Sequence, residues 1–297
     1  MTEPSVLFHY TSADGLLGML GTPHKSPTVW LSHIQYMNDK DEYWHAYELI
    51  IEKLRALQNH YEPLVAQWAK GEYESRGRGQ FLRDYFSQCF VMSLSQAPDL
   101  LSQWRGYARD GGYSVGFKQS DLVALAAKHG LALTPCIYTE QDKQRLIDYT
   151  INQLHAEAVQ RVVDPAIAGD PRIPDSDKPM ASWRYKFERF SREFASCFKQ
   201  QSFSEEREMR LVGTVPPLVA GEPNPLLKWR TRGNLILPYC ELDIGRTGGT
   251  PMPVHEIIVG PGVQFAHAKA TIDALTTERR MANNPINVRA SVSTLRW

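Results

Sequence analysis

Glu206-Arg207-Glu208-Met209-Arg210, followed by Leu211-Val212, is the stretch on which the reading of this chain turns. Side chains alternate across an extended strand, so Glu206, Glu208 and Arg210 are expected on one face and Arg207, Met209 and Leu211 on the other. A core-facing strand normally alternates apolar with polar residues, whereas here ionisable groups fill one side. From the residues alone two readings stand: a salt-bridged outer face of an edge strand, or the charged floor of a cleft.

Just upstream, Trp183, Phe187, Phe190, Phe194 and Phe198 recur every three or four residues. That spacing predicts a helix with an aromatic stripe turned into the core. Ahead of it lie a Pro- and Asp-rich loop over 164–179 and a helix over 140–163 carrying Ile147, Ile151, Leu154 and Ala158 on one stripe. Cys136-Ile137-Tyr138 reads as a strand. Together 140–200 looks like a helical insertion with a flexible loop at 164–179.

Towards the N-terminus, Val6 to Tyr10 reads as a strand and Thr11-Ser12-Ala13-Asp14 as the cap of a helix carrying Leu16, Leu17 and Leu20. His9, Tyr10 and Thr11 thus fall at a strand-to-helix corner. Val29 to Ser32 is a second strand, followed by helices expected around Tyr47 to Leu57, Leu64 to Trp68 and Phe81 to Phe86. Cys89 to Ser95 is a strand with Ser93 and Ser95 on one face, and Asp99 to Tyr107 a short helix. The Asp110-Gly111-Gly112 turn then returns Tyr113 to Phe117 as a strand, in which Gly116 would admit a neighbouring backbone or a ligand. Strands over 234–239, 256–261 and 288–295 and a helix over 263–279 complete the pattern. This irregular mixture predicts one α+β domain over 1–297 with a mixed, mainly antiparallel sheet and several packed helices.

The 297 residues, 42% of them hydrophobic, suffice for a large core, and 33 basic residues balance 33 acidic ones. That balance argues against a broad phosphate-neutralising surface. The four cysteines are far apart, with neither Cys-x-x-Cys nor zinc-finger spacing, and read as reduced, mostly buried thiols. No signal-like or membrane-length apolar run is seen, so a cytoplasmic protein with no membrane association is expected. The dinucleotide, P-loop, His-Glu-x-x-His and Gly-x-Ser-x-Gly motifs are absent.

Phe8-His9-Tyr10-Thr11-Ser12, Trp30-Leu31-Ser32 with Met37-Asn38-Asp39 and Glu42, Val91 to Ser95, and Trp104-Arg105-Gly106-Tyr107-Ala108 with Gly112 to Phe117 are joined by Glu206 to Arg210, Leu237-Pro238-Tyr239 and Ile257 to Pro261. In that order they resemble the bacterial domain-of-unknown-function family 2971, over nearly the whole chain. A more distant similarity is to ADP-ribosyltransferases, which carry an Arg or His on the first strand, a Ser- or Tyr-bearing strand in the middle and a Glu-bearing strand later. His9, Ser93-Leu94-Ser95 and Glu206-x-Glu208 fall in that order.

This second resemblance implies a sheet core of ADP-ribosyltransferase-like type, NAD as cofactor, and transfer to a protein, nucleic-acid or small-molecule acceptor, or hydrolysis of NAD. A bacterial toxin or phage-defence effector would be one setting. Cleavage of the ribose–nicotinamide bond passes through an oxocarbenium-like state that a carboxylate stabilises, a role falling to Glu208, with Glu206 assisting the acceptor. His9 would bond ribose or diphosphate, Ser93 and Ser95 would brace Glu208 or the ribose, and Tyr10 or Tyr107 would stack on the nicotinamide or adenine ring, with Thr11 at the same corner as Tyr10 and Trp104 a further cofactor-binding candidate. Arg210 would clamp diphosphate or simply neutralise the glutamates, and Arg105 and Arg232 are further phosphate candidates. One alternative is a metal-dependent nuclease or phosphoesterase with Asp39, Glu206 and Glu208 around a divalent ion; another is a non-enzymatic sensor or interaction module.

Overall fold

The computed structural model describes residues 5–22, 24–37, 45–46, 48–50, 52–53, 88–108, 111–215, 218–219, 221–245, 254–278 and 286–293. The helices expected around 64–68 and 81–86, and most of that at 47–57, lie outside the described residues.

The chain divides into two compact units, one of 1–33, 90–135 and 204–297, the other of 34–89 and 136–203. In the first, strands β1 (Val6–Thr11), β2 (Thr28–His33), β3 (Cys89–Ser95) and β4 (Tyr113–Lys118) are joined by β5 (Ala132–Pro135) and β6 (Glu208–Thr214). Leu218–Val219 and Glu222–Pro223, β7 and β8, form a separate small hairpin. β9 (Leu227–Arg232), β10 (Leu235–Asp243), β11 (Val254–Val259) and β12 (Asn287–Ala290) complete the set. The main sheet runs β12-β11-β4-β1-β3-β2-β10-β9, with β6 bonded to β3 and β5 to β6. The β1–β4, β2–β10, β9–β10, β4–β11 and β5–β6 registers are antiparallel, and β11–β12 is parallel. The protein is thus α+β with a mainly antiparallel sheet.

Alternation decides which face is packed. Leu7 on β1, Val29 and Leu31 on β2, Phe90, Met92 and Leu94 on β3, Val115 and Phe117 on β4, and Met209 and Leu211 on β6 share one core. Helices Ala13–Leu20, Gln119–His129 and Phe265–Glu278 add Leu16, Met19, Leu122 and Ile272 to it. Each such side chain removed from water contributes about 1.5–3 kcal/mol. The opposite face carries a smaller cluster, Phe8, Tyr10, Trp104, Ala108 and Ile258.

Trp104, on the helix Leu101–Tyr107, is fully buried and donates its indole N–H to Asp99 Oδ1 at 2.6 Å. Asp99 also accepts from Ser291 Oγ (2.6 Å), Val292 N (2.7 Å) and Ser293 Oγ (2.9 Å), tying the segment after β12 to this helix. Burial opposes its charge, but these donors more than offset it and hold the carboxyl below its ordinary value. A folded-state value below the unfolded one makes Asp99 stabilising above the ordinary carboxylate range, and that contribution vanishes as pH falls through the folded value. Melting curves of Asp99→Asn and wild type should therefore lie furthest apart above pH 4 and converge on acidification. A gap that stays constant down to pH 2 would contradict the assignment.

In the second unit the helix Lys178–Ala195 buries Trp183, Phe187 and Phe190, the first two stacked at 5.3 Å. The aromatic stripe is core, as its period requires. Alongside runs the helix Glu140–Val159, joined to it by Lys186 Nζ on Glu157 at 2.6 Å. Within 164–179, Asp164 caps a short helix, Pro165–Ala168, by accepting from Ala166 N at 2.9 Å.

Two local expectations are corrected. The strand expected at Cys136 to Tyr138 is shifted to Ala132–Pro135, where Leu133 and Thr134 pair with Leu211 and Arg210 and Pro135 ends the run; Ile137 keeps only a single bridge to Phe198. The space at Gly116 is taken by neighbours on β1: a Cβ there would lie 2.9 Å from both the Phe8 ring and Val6 Cγ1. Its missing side chain serves packing rather than a ligand.

Candidate functional site

β6 begins at Glu208, and the two-residue period delivers Glu208 and Arg210 to the face away from Met209 and Leu211. There they form an ion pair, Arg210 Nε donating to Glu208 Oε1 at 2.7 Å and Nη2 reaching Oε2 at 3.5 Å. Their side chains are only 4% and 5% exposed, so the pair is desolvated. Of the two roles open to Arg210, neutralising a glutamate is the one the geometry displays.

Glu206 does not continue the strand. It ends a 3-10 turn, Gln201–Glu206, and Arg207 adopts a left-handed conformation at φ 42° that breaks the alternation before Glu208. The backbone here is held by the end of β3: Ser95 Oγ donates to the Glu206 carbonyl at 2.6 Å and Gln96 N to the Arg207 carbonyl at 3.2 Å. Satisfying those buried carbonyls through β3 replaces the ladder that an uninterrupted strand would have made. The three charges on one strand face are therefore two, and Glu206 is buried beside them on a turn. Ser95, expected to brace Glu208 or ribose, braces the backbone just before Glu208.

His9 is half-buried, with Nδ1 2.8 Å from the Ser93 carbonyl. Burial lowers its pKa against the opposing pull of that carbonyl. Because a carbonyl only accepts, Nδ1–H donates and Nε2 of the neutral ring is an acceptor. His9 pairs with Val115 across β1 and β4 and so faces the main core, whereas Phe8 pairs with Ser95. The Ser93, Ser95, Glu208 and Arg210 side chains lie on the face away from Met92, Leu94, Met209 and Leu211. His9 therefore joins this group through the β3 backbone and does not share its sheet face.

Tyr10 and Trp104 are corrected from cofactor-binding candidates to core residues. Tyr10 is 5% exposed, meets Trp104 edge to face at 4.8 Å, and donates a hydrogen bond from its hydroxyl to Ala97 O at 2.9 Å while accepting from Leu100 N at 2.8 Å. Burial lifts its pKa to about 12. No face of either ring is left for a base. Thr11 is half-buried against Gly15, at the start of the first helix. Arg105 and Tyr107 are exposed on the helix Leu101–Tyr107, and Arg232 is exposed at the end of β9.

Asp39, proposed with Glu206 and Glu208 for a metal, lies outside the described residues, as does Glu42. Among the described residues no three His, Cys, Asp or Glu side chains gather as a metal site. The four cysteines are buried and form no disulfide, and no described helix is long and apolar enough to cross a membrane.

Sequence reasoning missed two groups. Asp99, five residues before Trp104, is the hub described above; the helix-preceding Asp was its only trace. Arg230 lies among Trp30, Ser32 and Tyr239, and its signal was the Lys228-x-Arg230-x-Arg232 alternation opposite Leu237-Pro238-Tyr239.

No curated protein and no solved structure matches the chain. The family resemblance, traced through motifs along nearly all of the sequence, is matched over a narrower span. Residues 103–211, from the Trp104 helix to the Glu208–Arg210 pair on β6, match the model of the family described as Protein of unknown function (DUF2971).

Proposed function

We propose that the chain is an ADP-ribosyltransferase-like enzyme that uses NAD as donor and delivers ADP-ribose to a macromolecular or small-molecule acceptor, or to water. The observation that supports it is strand adjacency: β3, with Ser93 and Ser95, is bonded both to β1, with His9, and to β6, with Glu208. Three segments separated by more than eighty residues each are thereby neighbours, in the chain order that the resemblance requires.

In this reading the bond between ribose C1′ and the nicotinamide nitrogen breaks, its electron pair leaving with the nicotinamide. The acceptor oxygen or nitrogen attacks C1′, and its proton passes to Glu206 or to water. Glu208 supports the positive charge developing on the ribose, Arg210 and Ser95 hold Glu208 and its backbone in place, and His9 positions β3. Wild-type protein incubated with nicotinamide-labelled NAD should release free nicotinamide at the same rate with or without chelator. No NAD binding and no release under any tested acceptor mixture would overturn the proposal.

A second reading is favoured by the burial of Glu208 and Arg210 and by their mutual pairing: a non-enzymatic module in which the pair maintains the fold. It expects loss of stability in Glu208 variants and no NAD turnover in wild type.

A further inference from the structure

Arg230 on β9 is half-buried, and its surroundings are unusual for a structural cation. Its guanidinium carbon lies 5.5 Å from the Trp30 ring centre and 5.7 Å from that of Tyr239, the two rings being 4.6 Å apart. Nη2 donates to Ser32 Oγ at 3.0 Å, while Nε is buried without a hydrogen-bond partner. Among the described residues no carboxylate pairs with it.

The nearby acid is committed elsewhere. Glu241 Oε1 accepts from Trp30 Nε1 at 3.1 Å and Thr28 Oγ1 at 3.3 Å, with Lys25 at 3.7 Å. Burial, followed by the charge of Arg232, lowers the pKa of Arg230, so its cation is undercompensated where it stands. Partly desolvated cations in folded proteins are normally paired, because an unpaired one costs solvation energy.

The chemistry around it supplies what an anion needs. Ser32 accepts from Arg230 and so keeps its own hydroxyl proton to donate. The Tyr239 hydroxyl makes no hydrogen bond among the described residues. Lys228 and Arg232, two positions to either side on the same face of edge strand β9, are both exposed and enlarge the positive potential. A fork of donors with several cations suits a doubly charged, multi-oxygen anion better than a carboxylate.

We propose that Arg230, Ser32 and Tyr239 form a binding subsite for a phosphoryl group, presented as free phosphate or as a nucleoside monophosphate. Of these residues none lies on β3 or β6, so the subsite stands independently of NAD cleavage.

Calorimetric titration of the full chain with inorganic phosphate, AMP and adenosine tests it. Wild type is expected to bind phosphate and AMP and not adenosine; equal affinities point to the phosphoryl group alone, and tighter AMP binding to a nucleotide. Arg230→Gln should weaken both at least about tenfold and Ser32→Ala several-fold. Should Arg230→Gln not fold, the Ser32→Ala titration decides. Absence of phosphate binding by wild type at millimolar concentrations, or unchanged affinity in folded Arg230→Gln or Ser32→Ala, would overturn the subsite.

Discussion

Replacing Glu208 by Gln is expected to lower the free energy of unfolding by about 3–5 kcal/mol, because it removes the carboxylate charge bonded to the Arg210 guanidinium at a desolvated position. The two side chains are 5% and 4% exposed and joined at 2.7 Å, so no water can take over the lost charge without opening the structure. The double variant Glu208→Leu, Arg210→Met removes both charges at once and should recover most of the loss, since a well-packed apolar pair avoids the desolvation of either ion. Urea unfolding of the three proteins measures this directly. The same set separates structure from chemistry: if the pair acts in NAD cleavage, the folded double variant loses nicotinamide release by about a hundredfold or more while regaining stability. If instead wild type turns over NAD and the folded double variant does so equally well, Glu208 has no part in the reaction.

The fold was largely legible because period decides it. The β-favouring runs Val6 to Tyr10, Cys89 to Ser95 and Tyr113 to Phe117 are central strands buried on both faces, and the three-to-four spacing of Trp183, Phe187 and Phe190 buries one face of a helix. What was not legible was set by pairing between distant segments. Nothing local in Glu206-Arg207-Glu208 signals a left-handed residue; the break at Arg207 exists because Ser95 and Gln96, more than a hundred positions earlier, take up its neighbouring carbonyls. The shift of β5 to Ala132–Pro135 has the same origin, since its register against Leu211 and Arg210 outweighs the β preference of Ile137 and Tyr138.

The candidate site divides along the same line. That Glu208 and Arg210 share a face follows from strand period alone, and they do. That Tyr10 and Trp104 are core depended on tertiary partners: a tyrosine hydroxyl and an indole N–H enter an interior only when each finds a bonding group, and those groups, Ala97, Leu100 and Asp99, lie in a loop with no motif of its own. Arg230 was passed over for Arg232 because sequence cannot distinguish an arginine resting on Trp30 and Tyr239 from one at an exposed strand end.

Trp104→Ala should cost about 3–5 kcal/mol, the range for deleting a large aromatic side chain from a packed interior. Trp104 has no solvent exposure, and its ring fills the centre of the small cluster of Phe8, Tyr10, Ala108 and Ile258. Collapse into the vacated space is restricted because one wall is backbone: a Cβ on Gly260 would lie 2.7 Å from both Trp104 Cζ3 and the Gly112 carbonyl oxygen, so this glycine is already in close contact with both. The indole N–H adds a second component, since its loss removes one of the four donors on Asp99. Trp104→Phe isolates that component, keeping most of the ring volume while deleting the donor, and should cost about 1–3 kcal/mol. In Asp99→Asn the alanine variant should lose less than it does in the wild-type background, because the indole and Asp99 act on each other and their effects are coupled. Chemical denaturation of the single and double variants supplies the cycle; a Trp104→Ala loss under 1 kcal/mol, or strict additivity with Asp99→Asn, is incompatible with this packing.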